Sequence, residues 1–111
     1  VKTVEIHRNA REAIREFSKD VRRELGSALL KIQLGMTLGF PLSRPMSDVY
    51  AGVHELRFRD SRGIQRVFYY LKSKQGILVF HAFTKKSQKT PAMEMALGRK
   101  RLKEMLANEK E

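Results

Sequence analysis

Residues 77–91 read ILVFHAFTKKSQKTP, and this stretch decides the fold. Its first half, Ile77 to Thr84, is an apolar run rich in β-formers, the length of a strand buried on both faces. Its second half turns abruptly cationic, with Lys85, Lys86 and Lys89 in five residues. Thr90-Pro91 then predicts a helix start, with Thr as N-cap and Pro at the first helical position. The pattern brings three ammonium groups to one end of a sheet, where function is expected.

Upstream, the periodicity is two. From Val53 to Arg59, His54, Leu56 and Phe58 alternate with Glu55, Arg57 and Arg59. Asp60-Ser61-Arg62-Gly63 is a turn, Ile64–Lys72 a second strand, and Ser73-Lys74-Gln75-Gly76 a second turn. Such short turns imply an antiparallel meander. Residues 35–48, punctuated by Gly35, Gly39, Pro41 and Pro45, read as a surface loop. Before it, Ile14, Phe17, Val21, Leu25, Ala28, Leu29 and Ile32 recur at helical spacing. Ser18 is a second cap within that run, so two helices are expected, at about 9–17 and 19–36, the first capped by Asn9 with Glu12 completing a capping box. Val4 and Ile6 make a short opening strand. Downstream, Met93, Ala96, Leu97, Leu102, Met105 and Leu106 mark a closing helix over 92–108. The order β-α-α-β-β-β-α describes an α+β domain, helices packed on a mostly antiparallel sheet.

The 111 residues suit a single domain, 1–111, and 41% hydrophobic content suits a packed core. There is no cysteine, in keeping with a reducing cytoplasm. No apolar run is long enough to span a bilayer and no signal peptide opens the sequence, so no membrane contact is expected. Charge is the informative total. Residues 57–90 hold nine basic residues against one acid, a net +8 out of +11 for the chain. Cations this concentrated favour polyanions, because neutralised phosphates release their counterions.

Glycine-rich phosphate loops and metal-ligand spacing are absent from the pattern, and no metal or cofactor is expected. What remains is a cationic group with one acid. Arg57 and Arg66 lie on adjacent strands beside Glu55, and Lys85 and Lys86 follow the third strand. Together they suit a phosphodiester, with Glu55 or His81 as proton acceptor. Arg59, Arg62, Lys72 and Lys89 are candidates for RNA backbone contacts, and Tyr69 for base stacking. Each has a structural alternative: Glu55 in a salt bridge, His81 and Tyr69 in the core, the lysines as solvated charge.

Three segments in order carry a resemblance: Glu55-Leu56-Arg57, Gln65-Arg66-Val67-Phe68-Tyr69, and Leu78–Phe83 running into Lys85-Lys86 and Thr90-Pro91. They resemble the phage-derived, HigB-like branch of the RelE/ParE toxin superfamily. The resemblance implies the toxin of a type II toxin–antitoxin pair, a ribosome-dependent mRNA endonuclease working in the A site without metal. Cleavage there proceeds by attack of a ribose 2′-hydroxyl on the adjacent phosphate. It also implies a cognate antitoxin, HigA-like with a helix-turn-helix DNA-binding domain, and matches Arg66 to the arginine that contacts the scissile phosphate. Two features depart from the pattern: Gln65 stands where relatives carry an aromatic, and no tyrosine follows Tyr70. A ParE-like gyrase poison and a non-catalytic RNA- or ribosome-binding module are the alternatives.

Overall fold

The computed structural model describes residues 1–86 and 90–109. The chain runs β1 (Val4–Ile6), α1 (Arg8–Arg15), α2 (Lys19–Gln33), β2 (Ser43–Pro45), β3 (Val53–Asp60), β4 (Gly63–Ser73), β5 (Gly76–Lys85) and α3 (Ala92–Glu109). This is the α+β domain expected, with one strand more than the sequence indicated. The five strands form one sheet in the order β1-β5-β4-β3-β2. All pairs are antiparallel except β1 with β5. The added strand, β2, lies inside the segment read as loop. Three residues ending in a proline carry no detectable alternation, and β2 exists because β3 offers it an edge, pairing Arg44 with Glu55.

Helices α1 and α2 cover one face of the sheet. Phe17, Val21, Leu25, Ala28, Leu29 and Ile32 bury there against Leu56, Phe58, Val67, Tyr69, Ile77 and Val79. Ser18 caps α2 as expected, its hydroxyl accepting from the Val21 N–H at 3.2 Å. α1 starts earlier than predicted: His7, not Asn9, is its N-cap, with Nδ1 accepting from the Asn9 N–H at 3.1 Å.

α3 covers the other face, where Leu102 and Met105 meet Phe68, Leu78 and Phe80. Its buried stripe is rotated from the predicted one. Met93 is 77% exposed and Leu97 37%, while Met95, Gly98, Leu102, Met105 and Leu106 face inward. Gly98 is the reason: a Cβ there would stand 2.9 Å from the buried ring of Phe68, so glycine lets helix and sheet approach closely. The helix start also shifts. The Pro91 carbonyl accepts from Met95 at 3.1 Å, which makes Pro91 the capping residue and frees the Thr90 hydroxyl for another use.

A bulge in β5 decides which side chains share the α3 face. Phe68 pairs with His81 but Tyr69 with Val79, so Phe80 is the extra residue. Beyond it the alternation inverts, and His81, Phe83 and Lys85 stand on the same face as Phe68 and Arg66.

Glycine to alanine therefore has opposite signs at two helical sites. Gly26 is exposed in the middle of α2 with nothing near an added Cβ, so Gly26→Ala should stabilise by about 0.5–1 kcal/mol. Gly98→Ala gains the same propensity but overpacks Phe68, a cost of about 1–3 kcal/mol, and should be neutral to destabilising. Urea unfolding of the two variants checks both signs.

Candidate functional site

The α3 face carries a polar cluster built on one carboxylate. Glu55 has no exposed surface, and its Oε1 accepts from Arg57 Nε at 2.7 Å and from Arg44 Nε at 3.1 Å. Its Oε2 accepts from the Thr90 hydroxyl at 2.9 Å. Thr90 in turn accepts from Arg66 at 2.6 Å and from Arg44 at 3.2 Å. A hydroxyl has one proton and two lone pairs, and here all three are engaged.

Strand register explains the convergence. Arg44 stands opposite Glu55 across β2–β3, and Arg57 opposite Arg66 across β3–β4. Two arginines directly opposed on a sheet repel. The Glu55 carboxylate, beside Arg57 on the same strand and linked through Thr90 to Arg66, offsets part of that repulsion. Three guanidinium groups thus surround one carboxylate, an excess of positive charge in a largely dry place. Burial lowers the Arg66 guanidinium from its ordinary value; Glu55 opposes the shift, and Arg57 and Arg44 add to it. An arginine so placed stays charged and seeks an anion.

The sequence candidates divide by position. Glu55, Arg57 and Arg66 come together as described. Lys85 and Lys86 are exposed at the end of β5, Lys85 on the Arg66 side. Arg59, also exposed, lines a cleft of about 340 Å³ with Arg57, Phe58, Ile64, Pro41 and Leu42. The others stand apart. Arg62 is tied to the end of α1, its NH1 donating to the Glu16 carbonyl at 2.8 Å. Lys72 lies six residues along β4 from Arg66, roughly 20 Å at about 3.3 Å per residue. Tyr69 is buried on the opposite face, sharing a 2.6 Å hydrogen bond with Ser43 and stacking on His54 at 5.4 Å. That burial raises its pKa above the ordinary value, and the Ser43 contact partly offsets this. The ring is a core side chain in this arrangement, not a platform open to a base. Lys89 lies outside the described residues.

His81 is 2% exposed, and both its nitrogens have partners. Arg101, an obligate donor, donates to Nδ1 at 2.8 Å, so Nε2 carries the proton and donates to Glu94 at 2.8 Å. Burial lowers the pKa of His81 below 6.5; the Glu94 hydrogen bond opposes this and the Arg101 charge reinforces it. The imidazole is a neutral link between β5 and two turns of α3, with neither nitrogen open to substrate.

Arg44, Thr90, Glu94 and Arg101 were not read as site residues. Arg44 carried no signal, because its strand forms only against β3. Thr90 was visible but mistaken for a helix cap.

Two outcomes follow. Glu55→Ala leaves buried cations without their carboxylate and should cost about 3–5 kcal/mol at neutral pH, measured by urea unfolding. In an NMR titration His81 should titrate below 6.5, moving up in Arg101→Met and down in Glu94→Gln. With its folded pKa lowered, His81 contributes stability that is present above about 6.5 and lost as pH falls through that value.

Comparison with known proteins adds the family. No curated protein matches the chain. The family model described as "Phage derived protein Gp49-like (DUF891)" matches residues 12–103, which take in the second half of α1, all of α2 and β2–β5 and most of α3. With the match extending over most of its length, the chain belongs to the Gp49-like family of phage-derived proteins.

Proposed function

We propose that this chain is the toxin of a type II toxin–antitoxin pair, and that it acts as an endoribonuclease on mRNA in the ribosomal A site. The observation that carries the reading is the trio Arg44, Arg57 and Arg66 around the single carboxylate of Glu55. Stability alone does not call for it, since a buried ion cluster is often no better than apolar packing of the same volume. An excess of guanidinium groups, Arg66 buried and Arg44 and Arg57 half-buried, beside exposed Lys85 and Lys86 suits a phosphodiester. Family membership and the RelE-like arrangement of helices and sheet are compatible with a toxin.

In this reading the 2′-oxygen bonds to the adjacent phosphorus as its proton passes to water, and the bond from phosphorus to the 5′-oxygen breaks. A cyclic phosphate and a 5′-hydroxyl protonated from water result. The guanidinium groups stabilise the negative charge that grows on the non-bridging oxygens. Arg66 and Arg57 hold the phosphate, Lys85 and Lys86 the flanking backbone. A small antitoxin with a HigA-like DNA-binding domain is the proposed partner, its acidic segments complementing the same basic surface. Among the described residues, no helix is long and apolar enough to cross a membrane.

One observation favours a second reading, a module that binds RNA or the ribosome without cutting. Both oxygens of Glu55 and both nitrogens of His81 are engaged internally, so neither base candidate is free in this conformation.

Mapping of 5′ ends on cellular mRNA after brief induction separates the readings. New ends within coding regions, lost in Arg66→Ala by a factor of about a hundred or more, are the outcome expected of the nuclease. Arrested growth with intact transcripts would discard cleavage and leave binding or a gyrase target.

A further inference from the structure

Arg66 has no exposed surface, although it is the side chain best placed for a phosphate. A phosphodiester reaches it only if something over it moves, and Thr90 is in direct contact with its NH1 at 2.6 Å. We infer that Arg44, Arg57 and Arg66 form a phosphoryl-binding site in which the Thr90 hydroxyl holds the place of a phosphate oxygen, and that a phosphodiester enters by displacing Thr90. The inference rests on the proposed polyanion-binding reading and specifies the ligand set and the entry step of that same site.

Three observations support it. The first is the donor pattern. Thr90 Oγ1 receives N–H groups from two guanidiniums, Arg66 and Arg44, which come from strands β4 and β2 on either side of β3. One oxygen bridging two arginines is the arrangement a phosphoryl oxygen makes, and an anionic oxygen there adds the attraction of opposite charges that a neutral hydroxyl lacks.

The second is charge. The contacts of the cluster set three guanidiniums against one carboxylate, and Thr90 brings no charge to the balance. Replacing a neutral oxygen by a phosphodiester oxygen adds a negative charge to a group that, among the described residues, sets three cations against one anion.

The third is mechanical independence. Glu55 keeps Arg44 and Arg57 on Oε1 and touches Thr90 through Oε2 alone. Thr90 can therefore leave while Arg44 and Arg57 remain clamped, and its leaving opens Arg66 NH1 to the incoming oxygen. It precedes α3 and does not cap it, since Pro91 takes that role, so its departure loosens the first turn of α3 and leaves the body of the helix in place.

Arg44 becomes a phosphate ligand under this reading, through the NH2 group that donates to Thr90. The cleft beside Arg57 and Arg59 opens next to the same cluster and gives the flanking nucleotide a place to lie.

The test uses the full chain and a short, unstructured oligoribonucleotide, with binding followed by fluorescence anisotropy at fixed salt. Thr90→Val keeps the side-chain shape and removes the hydroxyl. Binding should tighten on the order of tenfold, the equivalent of one charge-assisted hydrogen bond that no longer has to be broken. The gain should vanish when Arg44→Ala is added. Hydrogen exchange on the wild-type chain gives a second measurement that needs no variant to fold: the amides of Ala92–Met95 should exchange faster when the oligoribonucleotide is bound. Arg66-dependent binding that weakens or stays the same in Thr90→Val overturns the inference and leaves the polyanion reading standing. So does added protection of the first turn of α3. Absence of Arg66-dependent binding in both the wild-type and the Thr90→Val background overturns that reading itself.

Discussion

The carboxylate of Glu55 is the constraint on which the α3 face depends. It sits without solvent contact among side chains from β2, β3 and Thr90, two residues before α3, and its hydrogen bonds to Arg44 and Thr90 tie two separate pieces of chain to β3. Through Arg44 it fastens a three-residue strand that would have little reason to form alone. Through Thr90 it fixes the approach to α3 and brings in Arg66. Its net worth to stability is modest beside its value as a positioning device, because isolating an ion from water costs about as much as the pairing returns. What it secures is arrangement: three guanidiniums at fixed positions on one face.

A second device shares that face. The bulge at Phe80 turns His81, Phe83 and Lys85 toward α3, and His81 then accepts from Arg101 and donates to Glu94, two turns apart on the helix. Phe68 packs against Phe80, His81 and Phe83 with ring centroids between 5.5 and 5.9 Å, directly under Gly98. The helix is thus held by a polar link and by a close apolar contact at once. The opposite face has no such duty. There α1 and α2 pack on a conventional apolar layer, in which Tyr69 is a filled position rather than a binding one.

Local repulsion is the trace that function leaves on the fold. Arg57 and Arg66 oppose each other across two strands at a place where two apolar residues would pack without conflict. The strands before and after this row read as ordinary sheet. In the proposed function a phosphate resolves the mismatch; among the described residues the Glu55 carboxylate and the Thr90 hydroxyl offset part of it. The same economy explains why the two residues with base-like chemistry are internally engaged: both hold the cations and the helix in place.

Much of this architecture was legible in the chain. Alternation over Val53–Arg59, the turns at 60–63 and 73–76 and the apolar run from Ile77 specify a meander, because period-two burial and tight turns are local properties. Helical spacing from Ile14 to Ile32 with Ser18 as a cap specifies two helices for the same reason. The cluster was half legible: Glu55, Arg57 and Arg66 stand on one strand face or its neighbour, so their chemistry could be paired by register. Tertiary structure alone decided the rest. Arg44 joins the site by pairing with a strand at a distance in sequence, Thr90 exchanges a capping role for a buried carboxylate, and a one-residue bulge sets the side of the sheet on which His81 and Lys85 stand. Each of these depends on where the chain returns, and no local preference of three or four residues encodes it.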